Sequence, residues 1–494
     1  MPPLQGWFRG VQFSQGSASL HAWALLSRPF GPKRQIGDFS RAFEGPHRYL
    51  QIILSYRDNS WYIVFMDSDN LKYVLRQFVE RPLPECKPRS ISLPSGTGKV
   101  VGLTGVRRSG KTFLFFDTIR RLLAEGVDRR RLVYLNFEDD RLQPLRAEDL
   151  DLVLRCLREL FPETAHGHTY LFLDEVQGAP GWERWVRRIR DTEDVDIFVT
   201  GSSSRVLKRD LASAMRGRSI TYEIFPLSFR EYLHFLGIEV RPSSADNESL
   251  VRHALENYLV WGGFPEIVLS DEAVRPLILS EYASVMLYRD LIEGYGVRNE
   301  KLMRELLRHC YRNTASMINV SKLHRDFKSL GFSASKNTLF DYLGFLEDSF
   351  LIFLMPKQEE SLRKQAHNPR KLHVIDPGLI AAFHANPERD VGRKLETVVF
   401  LEMRRVKQDL RYYRNSSEVD LCDSEGTLFI NTCWSLTGSD TIQREAASMD
   451  FGHRRWPQAR GRLLYHEFKP GIHLNIPGAE QAWRFLLSDR EKRG

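Results

Sequence analysis

The 494-residue sequence lacks the features that mark secreted and membrane-spanning proteins. Apolar runs such as YIVFM at 62–66 are much too short to span a bilayer, and the opening MPPLQGWFRG does not have the layout of a signal peptide. The cysteines are few and scattered, without a CxxC pair, and their odd number argues against a disulfide framework or a zinc site. They are Cys86, Cys156, Cys310, Cys422 and Cys433. We therefore expect a soluble, cytoplasmic protein with reduced thiols.

The sequence also lacks an extreme charge. Its 71 basic and 63 acidic residues give a formal net charge of +8, which is compatible with ATP or nucleic acid as a partner but diagnostic of neither. With 42% hydrophobic and 27% charged residues, the composition is that of an ordinary globular protein. At roughly 150 residues per domain, the length predicts about three domains. No internal repeat is evident.

Shifts in composition divide the chain into regions. The stretch 48–67 reads as a β-hairpin around a polar RDNS turn, and 81–99 is rich in proline, serine and glycine, which is typical of a linker. We distinguish four regions: an N-terminal extension with a small predicted β unit (1–80), a core (81–236), a mainly helical region (250–355) and a mixed α/β region (356–494).

In the core, five short apolar runs alternate with helical patterns. The runs are KVVGLT, RLVYLNF, TYLFLD, VDIFVT and SITYEIF, and segments such as FLFFDTIRRLLAEG and WERWVRRIRDTED lie between them. Alternation of this kind is typical of βαβ units. We therefore predict an α/β fold with a parallel sheet that is covered by helices on both faces.

The first run is followed by GVRRSGKT at 105–112, which matches the phosphate-binding pattern GxxxxGK[ST]. In such a loop the glycines let backbone N–H groups surround phosphates, the lysine reaches the β- and γ-phosphates, and the hydroxyl ligates Mg²⁺. A strand before the motif and a helix after it provide the required context. The alternative is a chance glycine-containing turn. The predicted nucleotide contacts are Gly105, Ser109, Gly110, Lys111 and Thr112, with Thr112 also a metal ligand and Lys111 also catalytic.

A second motif, YLFLDEVQ at 170–177, places two acids at the end of an apolar strand. In a parallel sheet this end adjoins the phosphate loop. We expect Asp174 to hold Mg²⁺ through water and Glu175 to polarise the attacking water as a catalytic residue. The alternative is a strand that ends in acids because it meets a loop.

Two further segments carry weaker signals. VDIFVTGSSS ends in hydroxyls at Thr200, Ser202 and Ser203, and we take Ser202 as a nucleotide contact, with a serine-rich turn as the alternative. In the basic stretch 204–220, Arg218 can act as a catalytic arginine finger in its own subunit or in a neighbour. An ordinary solvated basic helix face is the alternative.

Further segments follow in a fixed order: PLSFREYL (226–233), GGFPE (262–266), LYRDL (287–291), HNPRKLHVIDPGL (367–379) and GRKLETVVFLEMRR (392–405). Together with the motifs above, this series resembles a prokaryotic family of AAA+-type P-loop ATPases with an appended C-terminal domain of uncharacterised role. The resemblance covers about residues 75–440. It implies an ATPase core, a helical segment, a winged-helix-like module, a region like the restriction-endonuclease fold, and a homo-oligomer.

The stretch 319–356 has the pattern of a helix-turn-helix followed by a strand. In its second helix a core face recurs at helical spacing, formed by Leu339, Tyr342, Leu343 and Leu346. Asp341, Glu347 and Asp348 on this helix would repel phosphates. DNA binding through the 319–371 region and contact with a protein partner therefore both remain open.

The last region contains Glu396 and Asp420, two acids that resemble part of a metal-dependent nuclease site. Where that pattern has acid-x-lysine, this sequence has Asn431, Thr432 and Cys433. We therefore predict a nuclease-like fold with an inactive site.

These observations predict a Mg²⁺-dependent ATP hydrolase that couples its nucleotide state to a C-terminal region recognising DNA or protein. Gly262 and Gly263 are either a hinge for this coupling or a static turn. The alternative function is a slow nucleotide switch, or an ATP-dependent scaffold, that controls a protein partner without binding DNA.

Overall fold

The computed structural model describes most of the chain in two compact units, Met1–Asp67 and Ser68–Gly494. The described residues are 53–57, 60–64, 68–201, 211–241, 245–359, 361, 368–383, 386, 389–415, 417–468 and 475–489. In the first unit, strands β1 (Ile53–Arg57) and β2 (Ser60–Val64) pair antiparallel, which confirms the predicted hairpin.

The core of the second unit is a five-stranded parallel sheet, and each predicted apolar run forms one strand. The strands are β3 (Val100–Thr104), β4 (Leu132–Asn136), β5 (Thr169–Asp174), β6 (Val195–Gly201) and β7 (Ser219–Glu223). Their order is β4-β5-β6-β3-β7, with every neighbouring pair parallel. The predicted α/β class is confirmed.

Helices cover this sheet. They are α1 (Ser68–Glu80), α2 (Lys111–Ala124), α3 (Leu152–Leu160) and α4 (Trp182–Thr192). Helix α2 buries Phe115, whose ring meets Phe172 edge-on at 5.3 Å, while Phe172 stacks on Phe198 at 4.6 Å. Helix α1 packs on α3 and β4 through its buried apolar face, so it belongs to the compact unit that begins at Ser68.

A mainly helical region follows the sheet. Its helices are α5 (Phe229–Leu236), α6 (Ala245–Trp261), α7 (Pro265–Leu269), α8 (Arg275–Val285), the π-helical segment Met286–Glu293, and α9 (Glu300–Arg312). Next come β8 (Ser316–Ile318), α10 (Val320–Ser329), α11 (Lys336–Asp348), β9 (Ile352–Met355) and β10 (Arg370–Val374). Strand β10 pairs antiparallel with both β8 and β9. The four residues predicted to form the core face of α11 are all buried.

The C-terminal region forms a separate mixed sheet. Its elements are α12 (Val391–Arg404), β11 (Leu410–Arg414), β12 (Glu418–Asp423), β13 (Leu428–Leu436), α13 (Ser439–Arg455), β14 (Arg460–Phe468), β15 (Ala479–Gln481) and α14 (Ala482–Leu487). The strands follow chain order across the sheet, antiparallel from β11 to β13 and parallel from β13 to β15. The predicted mixed α/β character is confirmed.

The glycine pair after α6 is fixed against the loop that follows β10. The N–H of Gly263 donates to Asp376 Oδ2 at 2.7 Å, and the N–H of Gly378 donates to Asp376 Oδ1 at 2.8 Å. Gly262 has φ +77°, and a Cβ there would lie 1.8 Å from Asp376 Oδ1, so only glycine fits. Of the two interpretations of this pair, the contacts favour the static turn.

Candidate nucleotide site

The phosphate-binding motif occupies the connection between β3 and α2, at the carboxyl edge of the sheet. Gly105 has φ +152°, and a Cβ there would meet the carbonyl oxygen of Ile224 at 2.1 Å. Gly110 caps α2 in the left-handed region with φ +95°. These two positions require glycine, and they allow the loop to present its N–H groups beside the positive end of α2.

Lys111 and Ser109 line the inside of this loop. Lys111 is buried, and its Nζ donates to the carbonyl oxygens of Gly105 at 2.9 Å and Val106 at 3.1 Å. Burial lowers the pKa of Lys111, although the charges of Glu175 and Asp174 oppose this effect. Ser109 is fully buried, and its hydroxyl has no hydrogen-bond partner within the described part of the chain. A buried hydroxyl of this kind fits a loop that receives a further acceptor.

Asp174 ends β5 and faces the start of α2. Its Oδ2 accepts hydrogen bonds from Thr112 Oγ1 at 2.7 Å and from Tyr134 Oη at 2.9 Å. Its Oδ1 accepts a hydrogen bond from Thr200 Oγ1. Burial, and next the charge of Glu175, raise the pKa of Asp174, while the three hydroxyl donors oppose this shift. The structure thus brings the two predicted metal ligands, Thr112 and Asp174, into direct contact.

Hydroxyl and carboxylate oxygens are the donors that Mg²⁺ prefers, and Mg²⁺ is commonly held by one or two protein groups together with substrate phosphates. Thr112 and Asp174 fit this pattern. Over the described ranges no group of three or more His, Cys, Asp or Glu side chains is arranged to hold a metal. The donor set therefore suits an ion that arrives with a nucleotide better than one held by protein groups alone.

Glu175 follows Asp174 in the left-handed region, with φ +51°. Such a conformation is uncommon for a non-glycine residue and is often found at functional sites. Its N–H donates to Thr200 Oγ1 at 2.9 Å, and its Oε2 accepts from Gln177 Nε2 at 2.6 Å. The side chain is half-buried beside the loop. Thr200 therefore orients both acids, whereas Ser202 and Ser203 lie outside the described residues.

Arg218 lies at the opposite edge of the sheet. It precedes β7, whose first residue, Ser219, pairs with Val100 at the start of β3, and the phosphate loop follows the other end of β3. At about 3.3 Å per residue, the two edges are about 15 Å apart, farther than an arginine side chain reaches. Arg218 is also largely exposed and pairs with Asp191 at 2.9 Å. This position disfavours action on its own subunit's nucleotide, and action on a neighbour stays a prediction.

The predicted linker 81–99 instead braces the phosphate loop. The side chain of Arg89 is 5% exposed, and its guanidinium pairs with Glu231 at 2.9 Å and donates to the carbonyl oxygens of Ser109 and Phe225 at 2.9 and 3.1 Å. Burial opposes ionisation of Glu231, but Arg89 outweighs it and holds the pKa of Glu231 well below its usual range. The proline-, serine- and glycine-rich composition of residues 81–99 did not indicate this role.

The acids Glu396, Glu418 and Asp420 of the C-terminal region surround a lysine that the sequence pattern did not reveal. Lys371, from β10, is buried, with its Nζ 2.5 Å from Glu396 Oε1, 3.0 Å from Asp420 Oδ1 and 3.6 Å from Glu418 Oε1. Asp420 Oδ2 accepts hydrogen bonds from the N–H and the hydroxyl of Thr432 at 2.9 and 3.0 Å. The acid-x-lysine position of the pattern has no lysine, but β10 supplies one from a distant part of the sequence.

Comparison with known proteins assigns the core. Residues 97–233 match the family described as an AAA domain. An uncharacterised protein of Methanocaldococcus jannaschii is 33% identical over 360 residues, which is 70% of this chain and 77% of that protein. The chain belongs to this AAA-domain family. Residues 252–390, after the AAA domain, match a domain of unknown function (DUF8612).

Other similarities are more distant. An uncharacterised protein of Haemophilus influenzae is 28% identical over 305 residues, which is 61% of this chain and 74% of that protein. The solved structure of the Aeropyrum pernix ORC1 protein in complex with DNA covers 69% of this chain and 95% of its own, with 15% identity and a TM-score of 0.28. At so low a score, nothing further is inferred from that likeness. None of the described helices is both long and apolar enough to cross a membrane.

Proposed function

We propose that the chain is a Mg²⁺-dependent ATPase that couples its nucleotide state to a C-terminal region recognising DNA or protein. The observation that carries this proposal is the convergence of Lys111, Thr112, Asp174 and Glu175 at one edge of the sheet. An AAA domain that matches over the same residues supports nucleotide binding.

Each of these groups has a separate task. The N–H groups of the 105–112 loop bind the phosphates, and Lys111 exchanges its carbonyl partners for the β- and γ-phosphate oxygens. Thr112 and Asp174 would hold Mg²⁺, which would supply positive charge to the phosphate oxygens. Glu175 orients a water molecule and accepts its proton. Ser202 remains a predicted nucleotide contact, and Arg218 a predicted finger for a neighbouring copy in a homo-oligomer.

The helical region offers a path from this site to the C-terminal region. The turn at Gly263 joins α6 to α7 and is hydrogen-bonded to Asp376, next to β10. Strand β10 also carries Lys371, which donates a hydrogen bond to Asp420 of the C-terminal sheet. A displacement of this turn as a rigid unit would therefore be passed on to that sheet. We propose that nucleotide binding shifts these elements together.

The target of the coupling distinguishes two functions. Exposed Lys322, Arg325 and Lys328 on α10 suit DNA, with the 319–371 region as its contact surface. The alternative is a slow switch, or an ATP-dependent scaffold, that controls a protein partner. Two exposed apolar side chains of the same 319–371 region favour this alternative, since Leu330 is 65% and Phe340 59% exposed. Strong stimulation of ATP turnover by duplex DNA supports the first function, and slow turnover that DNA does not change supports the second.

The proposal is tested by Glu175→Gln. We expect ATP binding to persist while phosphate release falls by about 10²–10³-fold, because the amide cannot accept a proton from water. Glu148→Gln, at an exposed glutamate of the same domain, is the control and should leave turnover unchanged. Sizing both variants with and without ATP tests assembly. Unaltered turnover in Glu175→Gln would contradict the proposed role.

A further inference from the structure

The phosphate loop contains two arginines at positions that the motif leaves free, and they have different surroundings. Arg107 is 17% exposed, with its Nε 3.1 Å from Asp290 Oδ1 and its Nη2 3.4 Å from Glu138 Oε1. Arg108 is 57% exposed and lies 3.7 Å from the exposed Glu266. Of the two, only Arg107 is flanked by two carboxylates, so Arg107 is the arginine whose position the surrounding protein defines.

Asp290 reaches the loop from an unusual piece of backbone. It lies in the π-helical segment Met286–Glu293, between α8 and α9. π-helical turns are rare and are frequently found at functional sites. The next residue toward the N-terminus, Arg289, lies 3.7 Å from Glu138, so the segment supplies one acid and one base to the same cluster. The helical region therefore contacts the phosphate loop directly through this segment.

The pair lies in the electrostatic field of the nucleotide site. Burial alone would lower the pKa of Arg107, but the charges of Asp290, Glu138 and Glu175 outweigh it and raise that pKa. Burial raises the pKa of Asp290, and Arg107 and Lys111 oppose the shift. Asp290 thus places a negative charge where Lys111 and the loop N–H groups favour an anion. Like charges at such a site oppose each other, so Asp290 and an incoming phosphate compete for Arg107.

We propose that Arg107 is a second phosphate-binding cation of this loop, which Asp290 and Glu138 hold until a nucleotide triphosphate takes it from Asp290. The exchange leaves Asp290 without its partner and so releases the π-helical segment from the loop. This inference rests on the proposed function, since it requires a nucleotide at the loop. It adds to that function a named residue that detects the phosphates and a named segment that responds.

The test measures ATP and ADP affinity by calorimetry for the wild type, Asp290→Asn, Arg107→Gln and the double variant. Asp290→Asn should tighten ATP binding about five- to tenfold, because the competing anion is gone. Arg107→Gln should weaken ATP binding about tenfold or more, and ADP binding less. In the double variant the gain from Asp290→Asn should disappear. Arg187→Gln, the same change at an exposed arginine of α4, should stay within about twofold of the wild type.

A second readout follows the segment itself. On addition of a non-hydrolysable ATP analogue, amide hydrogen exchange in 286–293 should rise in the wild type and stay unchanged in Arg107→Gln. The ratio of ATP to ADP affinity within one variant does not depend on the fraction of folded protein, so a loss of stability does not mimic the result. If wild type and Asp290→Asn bind ATP equally well, or if the gain persists without Arg107, the inference is overturned while the proposed function stands. If the wild type binds no ATP, the proposed function itself fails.

Discussion

Two aspartates of this molecule have similar positions and opposite surroundings. Asp174 and Asp420 are both strand residues whose carboxylates accept a hydrogen bond from a threonine hydroxyl. The other side-chain donors to Asp174 are the neutral hydroxyls of Tyr134 and Thr200, whereas Asp420 faces the ammonium group of Lys371 at 3.0 Å. None of the hydrogen-bond donors to the first carboxylate is charged. The second has a cation of its own.

This difference predicts that an added metal ion meets different conditions at the two aspartates. At the nucleotide site, only neutral hydroxyls donate to Asp174, so a metal ion there would not have to displace a hydrogen-bonded cation. In the C-terminal cluster, Lys371 is buried between Glu396 and Asp420 and already occupies the centre of the group. A divalent ion there would have to displace a charge that the fold provides.

Removal of the internal cation should have the largest effect on stability. Lys371→Met leaves Asp420 without its counter-charge and Glu396 without its buried partner, and we expect it to lower the free energy of unfolding by about 3–5 kcal/mol. Denaturant unfolding at neutral pH measures this change. Lys336→Met, at an exposed position of α11, is the control and should have almost no effect. A loss below about 1 kcal/mol would show that Lys371 does not balance these acids.

The same cluster should make stability depend on pH. Burial, and next the charge of Asp420, raise the pKa of Glu396 to about 8, although Lys371 opposes the shift. A carboxyl whose pKa is higher in the folded than in the unfolded state stabilises the fold at low pH, and this contribution is lost as pH rises. Between pH 5 and about pH 8, stability should therefore fall in the wild type and fall less in Glu396→Gln. Equal slopes in the two proteins would contradict this assignment.

A smaller effect is expected on the nucleotide side of the comparison. Tyr134→Phe removes one neutral donor to Asp174 and leaves its charge and its contact with Thr112 in place. We expect the concentration of Mg²⁺ that supports half-maximal nucleotide binding to rise several-fold, which corresponds to a loss of about 1 kcal/mol in binding free energy. Thermal stability should change little. Tyr170→Phe, on β5, is the matched control. A Mg²⁺ requirement identical to that of the wild type would show that Tyr134 does not orient Asp174.

The weakest effect concerns DNA cleavage, where we expect none. Because Lys371 fills the centre of the C-terminal acids and Asn431 and Cys433 stand where a nuclease has acid and lysine, Mg²⁺ or Mn²⁺ should not activate the site. Incubation with plasmid and linear DNA, followed by electrophoresis, checks this prediction. Cleavage that disappears in Asp420→Ala would show that the two aspartates are more alike than their surroundings suggest.

The sequence predicted those parts of the molecule that depend on local pattern. All five core strands and the phosphate loop follow from alternation of apolar runs and from a motif with fixed spacing. The contacts of Tyr134 and Lys371 depend on which strands become neighbours: β4 lies beside β5, and β10 lies near β12 although 49 residues separate Lys371 from Asp420. Such proximity has no local signature.

At two other places the local sequence was also a poor guide to the structure. Arg218 looked suited to a phosphate because its neighbours are basic, but the strand that follows it begins at the far edge of the sheet. The segment 81–99 looked like a linker because proline, serine and glycine dominate its composition. The side chain of Arg89 nevertheless fixes this segment to the core, because it pairs with Glu231 and donates to a carbonyl oxygen of the phosphate loop.

The most direct test is a calorimetric titration of the intact, folded protein with ATP in the presence of Mg²⁺. The arrangement of Lys111, Thr112 and Asp174 predicts saturable uptake of one nucleotide per chain, which Mg²⁺ strengthens and Lys111→Ala abolishes. Absence of uptake by the wild type, or equal affinity in Lys111→Ala, would contradict the assignment of this loop as a nucleotide site.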